Sequence, residues 1–270
     1  MEERINRVIG VLNYKGGTAK TTTVVNLAAG LAMRGARVLC VDLDPQGSLA
    51  SHLGVQYNDS LTDLLLGDAE PSACIYNARE NIDVLPSDRS MLKAEKELWN
   101  MEDMRVARRV LSDKLRVADD VYSFVIVDFP PSVTLISQNG LMYIRELVIP
   151  MIMSHLSVMG TRQVLGTLKA IGRIPDHQVR LLFVLPTLYV GRLRKDREIL
   201  EQMQRMFGDK LAEPIRNNVK LAEAPAHQQT IFEYDPRSNG ADDYIKFVRQ
   251  VIRADSFFSN QIEGVIGRPD

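Results

Sequence analysis

Two cysteines, Cys40 and Cys74, are all that the 270 residues contain. That is too few for a disulfide framework or a conventional metal cluster, and Cys40, inside an apolar run, reads as a buried thiol. No uncharged apolar run approaches the roughly 18–20 residues of a membrane span. The N-terminal stretch MEERINRV is charged and has no secretory core, so a cytoplasmic protein is the simplest expectation. Neither sign of charge dominates: the formal net charge is −1, so any nucleic-acid site has to be a local patch. Linkers, repeats and low-complexity segments are also missing. What is present is ordinary for a soluble chain, 45% hydrophobic and 25% charged, enough for a large core.

Apolar runs alternate with amphipathic stretches. Val8–Asn13, Arg37–Asp44, Ile82–Ser87, Phe124–Ser132, Glu146–Met151 and Val179–Thr187 read as buried strands. Thr21–Arg34, stopped by Gly35, reads as a helix, as do Arg89–Leu115, Leu135–Ile144, Val158–Arg173, Arg194–Phe207 and Ala241–Ala254. Strands that are apolar throughout and alternate with helices argue for an α/β fold: a doubly wound, mostly parallel sheet with helices on both faces. One domain over residues 1–254 and a tail over 255–270 are expected.

The stretch NYKGGTAKTT, residues 13–22, stands between the first expected strand and the first expected helix. This is the context of a phosphate loop: N–H groups at a helix start point at an anion, and the helix dipole favours it. Gly16 and Gly17 allow close approach of phosphates, flanked by Thr18, Ala19 and Thr22. Lys20 can reach the terminal phosphate oxygens, and the Thr21 hydroxyl can ligate Mg²⁺. The usual G-x-x-x-x-G-K-[ST] pattern is nonetheless broken by Tyr14 and Ala19, and a second lysine, Lys15, precedes the glycines. Alanine fits at 19 if that residue already has helical backbone angles, and nucleotide binding is then expected to survive.

Carboxylates close other strands. Asp42 and Asp44 end the second and Asp128 the fourth, where ligands of open α/β sheets bind. Beside a triphosphate they can hold Mg²⁺ through its waters and orient an attacking water.

The segments KGGTAKTT, VDLDPQGS and VIVDFPPS resemble the deviant Walker A, switch I and Walker B motifs of the ParA/MinD family of ATPases, and Asn217–Tyr244 resembles the ParA C-terminal signature. The resemblance implies a P-loop NTPase using ATP and Mg²⁺, closest to ParA/Soj-type partition ATPases. It implies a homodimer formed on ATP, in which Lys20 serves its own subunit's nucleotide and Lys15 crosses to the partner's. Asp44 would orient the attacking water, with Thr21, Asp42 and Asp128 on the metal side and Asn218 near the adenine. Arg192 and Lys220 match positions that contact DNA non-specifically, within a stretch that also carries Arg194, Lys195, Arg197, Arg205, Lys210 and Arg216. A ParB-like or cargo-adaptor protein would stimulate hydrolysis, and the cargo would be a plasmid, a chromosome or a protein organelle.

The chain departs from the family at Ala19, at Arg216–Asn218 and at Met151–Gly160. With the first strand near Val8, no N-terminal helix-turn-helix domain, and hence no operator binding, is expected. A MinD-like membrane-positioning role would need a basic amphipathic C-terminal helix. Ala241–Ala254 has apolar residues at helical spacing, for which core packing is the expected use.

Overall fold

The computed structural model describes residues 7–154, 163–170, 172, 174 and 177–254. Seven strands form one sheet: β1 (Arg7–Val11), β2 (Val38–Asp42), β3 (Tyr76–Arg79), β4 (Ile82–Leu85), β5 (Phe124–Asp128), β6 (Glu146–Ile152) and β7 (Arg180–Thr187). Their order is β3-β4-β2-β5-β1-β6-β7. Every pairing is parallel except β3 with β4. All five residues of β1, β2 and β5 are buried, because helices cover both faces of a parallel sheet. The expected fold is therefore observed, with one addition. β3 is an edge strand of polar, half-exposed residues with a register shift between Asn77 and Arg79, and it has no apolar run to announce it.

One face is covered by the helices Lys20–Ala32 and Asn239–Arg253. They approach closely at Gly30, where a β-carbon would lie 2.5 Å from Val248. Tyr244, Phe247, Val248, Val251 and Ile252 of the second helix are buried. The apolar stripe of the C-terminal helix thus packs in the core, as expected, and is not free to lie on a membrane. No helix among the described residues is long and apolar enough to cross one.

The other face carries shorter helices. The single helix expected over Arg89–Leu115 is broken into Met91–Trp99, Met104–Ala107 and Val110–Lys114. Two side chains cause the breaks. Asp103 accepts from the Arg105 N–H at 2.8 Å and starts a new helix. Asn139 accepts from the Leu111 N–H at 3.1 Å and donates to the Ala107 carbonyl at 2.8 Å, taking groups that a continuous helix would pair with itself. Of the helix expected over Val158–Arg173, residues 163–170 are helical. The remainder apart from 172, most of the divergent Met151–Gly160 segment, and the tail 255–270 lie outside the described residues.

β2, β5 and β1 are neighbours, with Asp42 opposite Asp128 and Asp128 opposite Val11. The loops that leave their carboxyl ends therefore start side by side. Those loops carry the residues singled out above.

Candidate nucleotide site

The phosphate loop is held from below by residues that make no claim on its inner surface. Asn13, at the end of β1, donates to the Pro150 carbonyl at 2.7 Å and accepts from the Lys15 N–H at 3.0 Å. Thr187, ending β7, donates to the Thr18 carbonyl at 3.2 Å. Tyr14 bonds Thr167 at 3.0 Å. Among the described residues, no N–H of residues 16–22 donates to a protein acceptor; the ladder of the first helix begins with Thr23 donating to Ala19 at 2.9 Å. A run of N–H groups at a helix start with nothing to bond is an anion site. A β-carbon on Gly16 or Gly17 would meet nothing within 4 Å. Protein packing therefore does not demand glycine there. Gly17 is favoured by its φ of +70°, and Gly16 leaves the open side of the loop clear.

Ala19 corrects the expectation from sequence. Its φ of 65° and ψ of 34° are left-handed, not helical. The family's glycine would adopt this conformation freely, whereas alanine does so at a cost of about 1 kcal/mol. The N–H groups of residues 16–22 are nevertheless left without protein acceptors among the described residues, so the strain at Ala19 does not close the loop on itself.

Lys20 is 8% exposed. Burial pulls its ammonium below the usual lysine range, and Asp128 and Asp44 act through space in the opposite direction. It makes no ion pair among the described residues, so its charge is available to a ligand. Asp128 accepts from the Thr21 hydroxyl at 2.5 Å. Its other oxygen is buried without a hydrogen-bond partner. Burial pushes the Asp128 carboxyl up to about 7, against the pull of Thr21 and Lys20. Asp42 is also driven well above the ordinary carboxylate range, first by burial and then by Asp128.

The three carboxylates differ in their engagement. Both oxygens of Asp42 accept backbone N–H groups, from Asp44 at 2.9 Å and Leu49 at 3.1 Å, so this residue shapes the turn after β2. Asp44 accepts from the Gln46 N–H at 3.0 Å and is half-buried. Asp128 alone has a buried oxygen left over. No three His, Cys, Asp or Glu side chains among the described residues form a metal cage. A magnesium ion here would rely on Thr21, Asp128 and phosphate oxygens, as this cation ordinarily does. The donor set fits it.

Comparison with known proteins gives the family. A family model described as an AAA domain, AAA_31, matches residues 6–180. The sporulation initiation inhibitor protein Soj of Bacillus subtilis is 35% identical, covering 92% of this chain and 98% of its own. The chromosome-partitioning ATPase Soj of Thermus thermophilus is 36% identical, covering 91% and 95%. The chain belongs to the ParA/MinD family of ATPases. Among solved structures, one described as cobyrinic acid a,c-diamide synthase from Mycobacterium smegmatis, with bound ATP analogue and magnesium, superposes with a TM-score of 0.79 at 33% identity, covering 92% and 95% of the two chains. MinD from Pyrococcus horikoshii complexed with Mg-ADP shares the fold, with a TM-score of 0.78 at 24% identity over 98% of this chain and 100% of that one.

Lys15 is half-buried, beside exposed Gly16 and Gly17. Asn218 caps the helix Val219–Glu223, accepting from the Lys220 N–H at 2.8 Å. The basic stretch is largely self-neutralised. Arg194 pairs with Glu198, Lys195 with Asp196, Lys210 with Asp209, and Arg216 with Asp242 and Asp243. Lys220 pairs with Glu223 at 2.9 Å and lies over the Tyr234 ring at 5.5 Å. Arg192 is exposed and has no ion pair among the described residues. The two expected DNA contacts are therefore unequal: Arg192 is free and Lys220 is already engaged. Sequence reading passed over Asn13 and Thr187 as functional. Each is a polar residue ending an apolar strand next to a loop, and that was the available signal.

Proposed function

We propose that this protein is a ParA-type partition or positioning ATPase that uses Mg-ATP to form a dimer and non-specific DNA to localise. The observation that carries the reading is the row of unpartnered N–H groups over residues 16–22 around the buried, unpaired Lys20. Relatives named as chromosome-partitioning proteins, matched over nearly their whole length, support it.

In this reading the N–H groups and Lys20 bind the phosphates, with Thr22 at the rear of the loop. Thr21 and, through water, Asp128 hold Mg²⁺, which supplies neutralisation of phosphate charge. Asp42 fixes the turn that presents Asp44, and Asp44 orients the attacking water. Asn218 lies on the adenine side. Lys15 reaches across a dimer interface to the partner's nucleotide, so each subunit completes the other's site, as an arginine finger does in trans. Arg192, with a smaller share from Lys220, contacts DNA phosphates, which carry no sequence information. A ParB-like or adaptor protein accelerates hydrolysis and releases the dimer from DNA.

The test is Lys15→Gln. It should bind ADP as the wild type does and fail to dimerise on ATP, read by calorimetry and light scattering. A Lys15→Gln protein that still dimerises on ATP would remove the trans assignment.

A further inference from the structure

The loop that carries Arg192 is rooted in the nucleotide site. Thr187, bonded to the phosphate loop at Thr18, is followed at once by Leu188, which has a φ of 54° and is 45% exposed. Left-handed backbone on an exposed leucine is rare and persists only where the surroundings dictate it. Here they do. The Tyr189 N–H donates to Ile215 at 3.1 Å, and Tyr189 accepts from the Asn217 N–H at 2.9 Å. The Leu193 N–H donates to Val190 at 2.9 Å, and the Arg197 guanidinium donates to the Gly191 carbonyl at 2.8 Å.

The middle of the loop is held by a carboxylate. Asp196, only 2% exposed on the first turn of the helix Arg194–Phe207, accepts from the Val190 N–H at 2.8 Å. A buried acid sits among the cations Arg192, Arg194, Lys195 and Arg197. Its charge opposes any anionic partner, yet its hydrogen bond fixes the backbone two residues before the free Arg192.

We propose that Asp196 is a positioning residue for DNA binding: it holds the bracket Leu188–Leu193 so that Arg192 meets a phosphate. This rests on the reading of Arg192 as a phosphate contact. Simple electrostatics gives the opposite sign, since deleting an acid from a basic surface should tighten binding to a polyanion.

The experiment measures affinity for a duplex of arbitrary sequence, with Mg-ATP and over a salt series, for the wild type, Arg192→Ala, Asp196→Ala, Asp196→Asn and the Arg192→Ala/Asp196→Ala pair. Hydrogen exchange at the Val190 amide is followed in parallel. Arg192→Ala should weaken binding about tenfold and lower the salt slope by about one. Asp196→Ala should weaken it about as much, despite losing a negative charge. Asp196→Asn keeps an acceptor oxygen and should bind at least as tightly as the wild type. The pair should be no weaker than Arg192→Ala alone. Val190 exchange should quicken in Asp196→Ala and stay slow in Asp196→Asn.

Unchanged or tighter DNA binding by Asp196→Ala overturns the proposal, as does Asp196→Asn binding as weakly as Asp196→Ala. Should Asp196→Ala fail to fold, Asp196→Leu, which fills the site without an acceptor oxygen, takes its place: weakening of about tenfold is expected, and wild-type or tighter binding overturns the proposal. Wild-type affinity in Arg192→Ala would overturn the phosphate-contact reading and the proposal with it. The Val190 amide distinguishes that failure, because it reports the bracket without DNA.

Discussion

Two clusters of buried charge lie at opposite ends of the central strands, and they are built differently. At the amino ends, Arg7 and Glu146, 4% and 3% exposed, form two hydrogen bonds at 2.8 and 3.1 Å. The third donor of Arg7 goes to the Val251 carbonyl at 2.7 Å, and Arg180 adds a further donor to Glu146 at 2.8 Å. At the carboxyl ends, Lys20 is buried without an ion pair, Asp128 has an orphaned oxygen, and a run of N–H groups has no acceptor. Burial and charge are alike at the two ends, but satisfaction is not. A buried charge with its partners in place is costly to break; one without them, beside a helix start at the carboxyl ends of the strands, is where a ligand can supply them.

The sharpest way to break this contrast is to damage each end in turn. Glu146→Ala leaves Arg7 buried and unpaired and should cost about 3–5 kcal/mol of stability, while nucleotide affinity of the folded protein stays unchanged. Lys20→Gln should do the reverse. Nucleotide affinity should fall by roughly 100-fold, about 3 kcal/mol, with little change in the denaturation midpoint of the nucleotide-free protein. Denaturant titration and calorimetry on the two variants read both effects.

A smaller effect follows from protonation. The Asp128 carboxyl titrates near 7 in the fold, against an ordinary value of 3.8. The folded state therefore holds more protons than the unfolded chain between those values, and stability of the nucleotide-free protein falls as pH rises through that window. Above about pH 7 the loss is complete. Asp128→Asn keeps an acceptor for Thr21 and removes the charge. It should raise stability at pH 8 by about 1–3 kcal/mol, flatten the pH dependence and abolish hydrolysis. Thermal melts from pH 4 to 8 check the first two outcomes and a phosphate-release assay the third.

The smallest expected change is at Ala19. Ala19→Gly should relieve left-handed strain and stabilise the protein by up to about 1 kcal/mol, as judged by denaturant midpoint. A destabilised Ala19→Gly protein would mean that the methyl group is itself in useful contact.

How much of this was readable in advance depends on the range of the forces involved. The β2, β5 and β6 runs are apolar because both faces of the sheet are covered, so these strands were legible. Residues 13–22 were legible as a phosphate loop from their place between a strand and a helix and from Lys20 and Thr21, although the usual spacing is broken at Tyr14 and Ala19. The backbone angle of Ala19 was not, since an alanine carries no local signal for a left-handed conformation. The break in the expected Arg89–Leu115 helix depends on Asn139, nearly thirty residues on. Strand β3 has too few apolar residues to be seen. The Lys220–Glu223 pair was open to reading from its i,i+3 spacing; the clamp of Arg216 on Asp243, 27 residues distant in sequence, was not.

The contrast between the two ends can be tested in one measurement: amide hydrogen exchange with and without saturating Mg-ATP. The N–H groups of residues 16–22 should exchange quickly in the free protein and become strongly protected when nucleotide binds, because phosphate oxygens become their acceptors. Amides around Arg7 and Glu146 should stay as they were. If residues 16–22 are equally protected with and without Mg-ATP, the unsatisfied end is not a nucleotide site and the account is wrong.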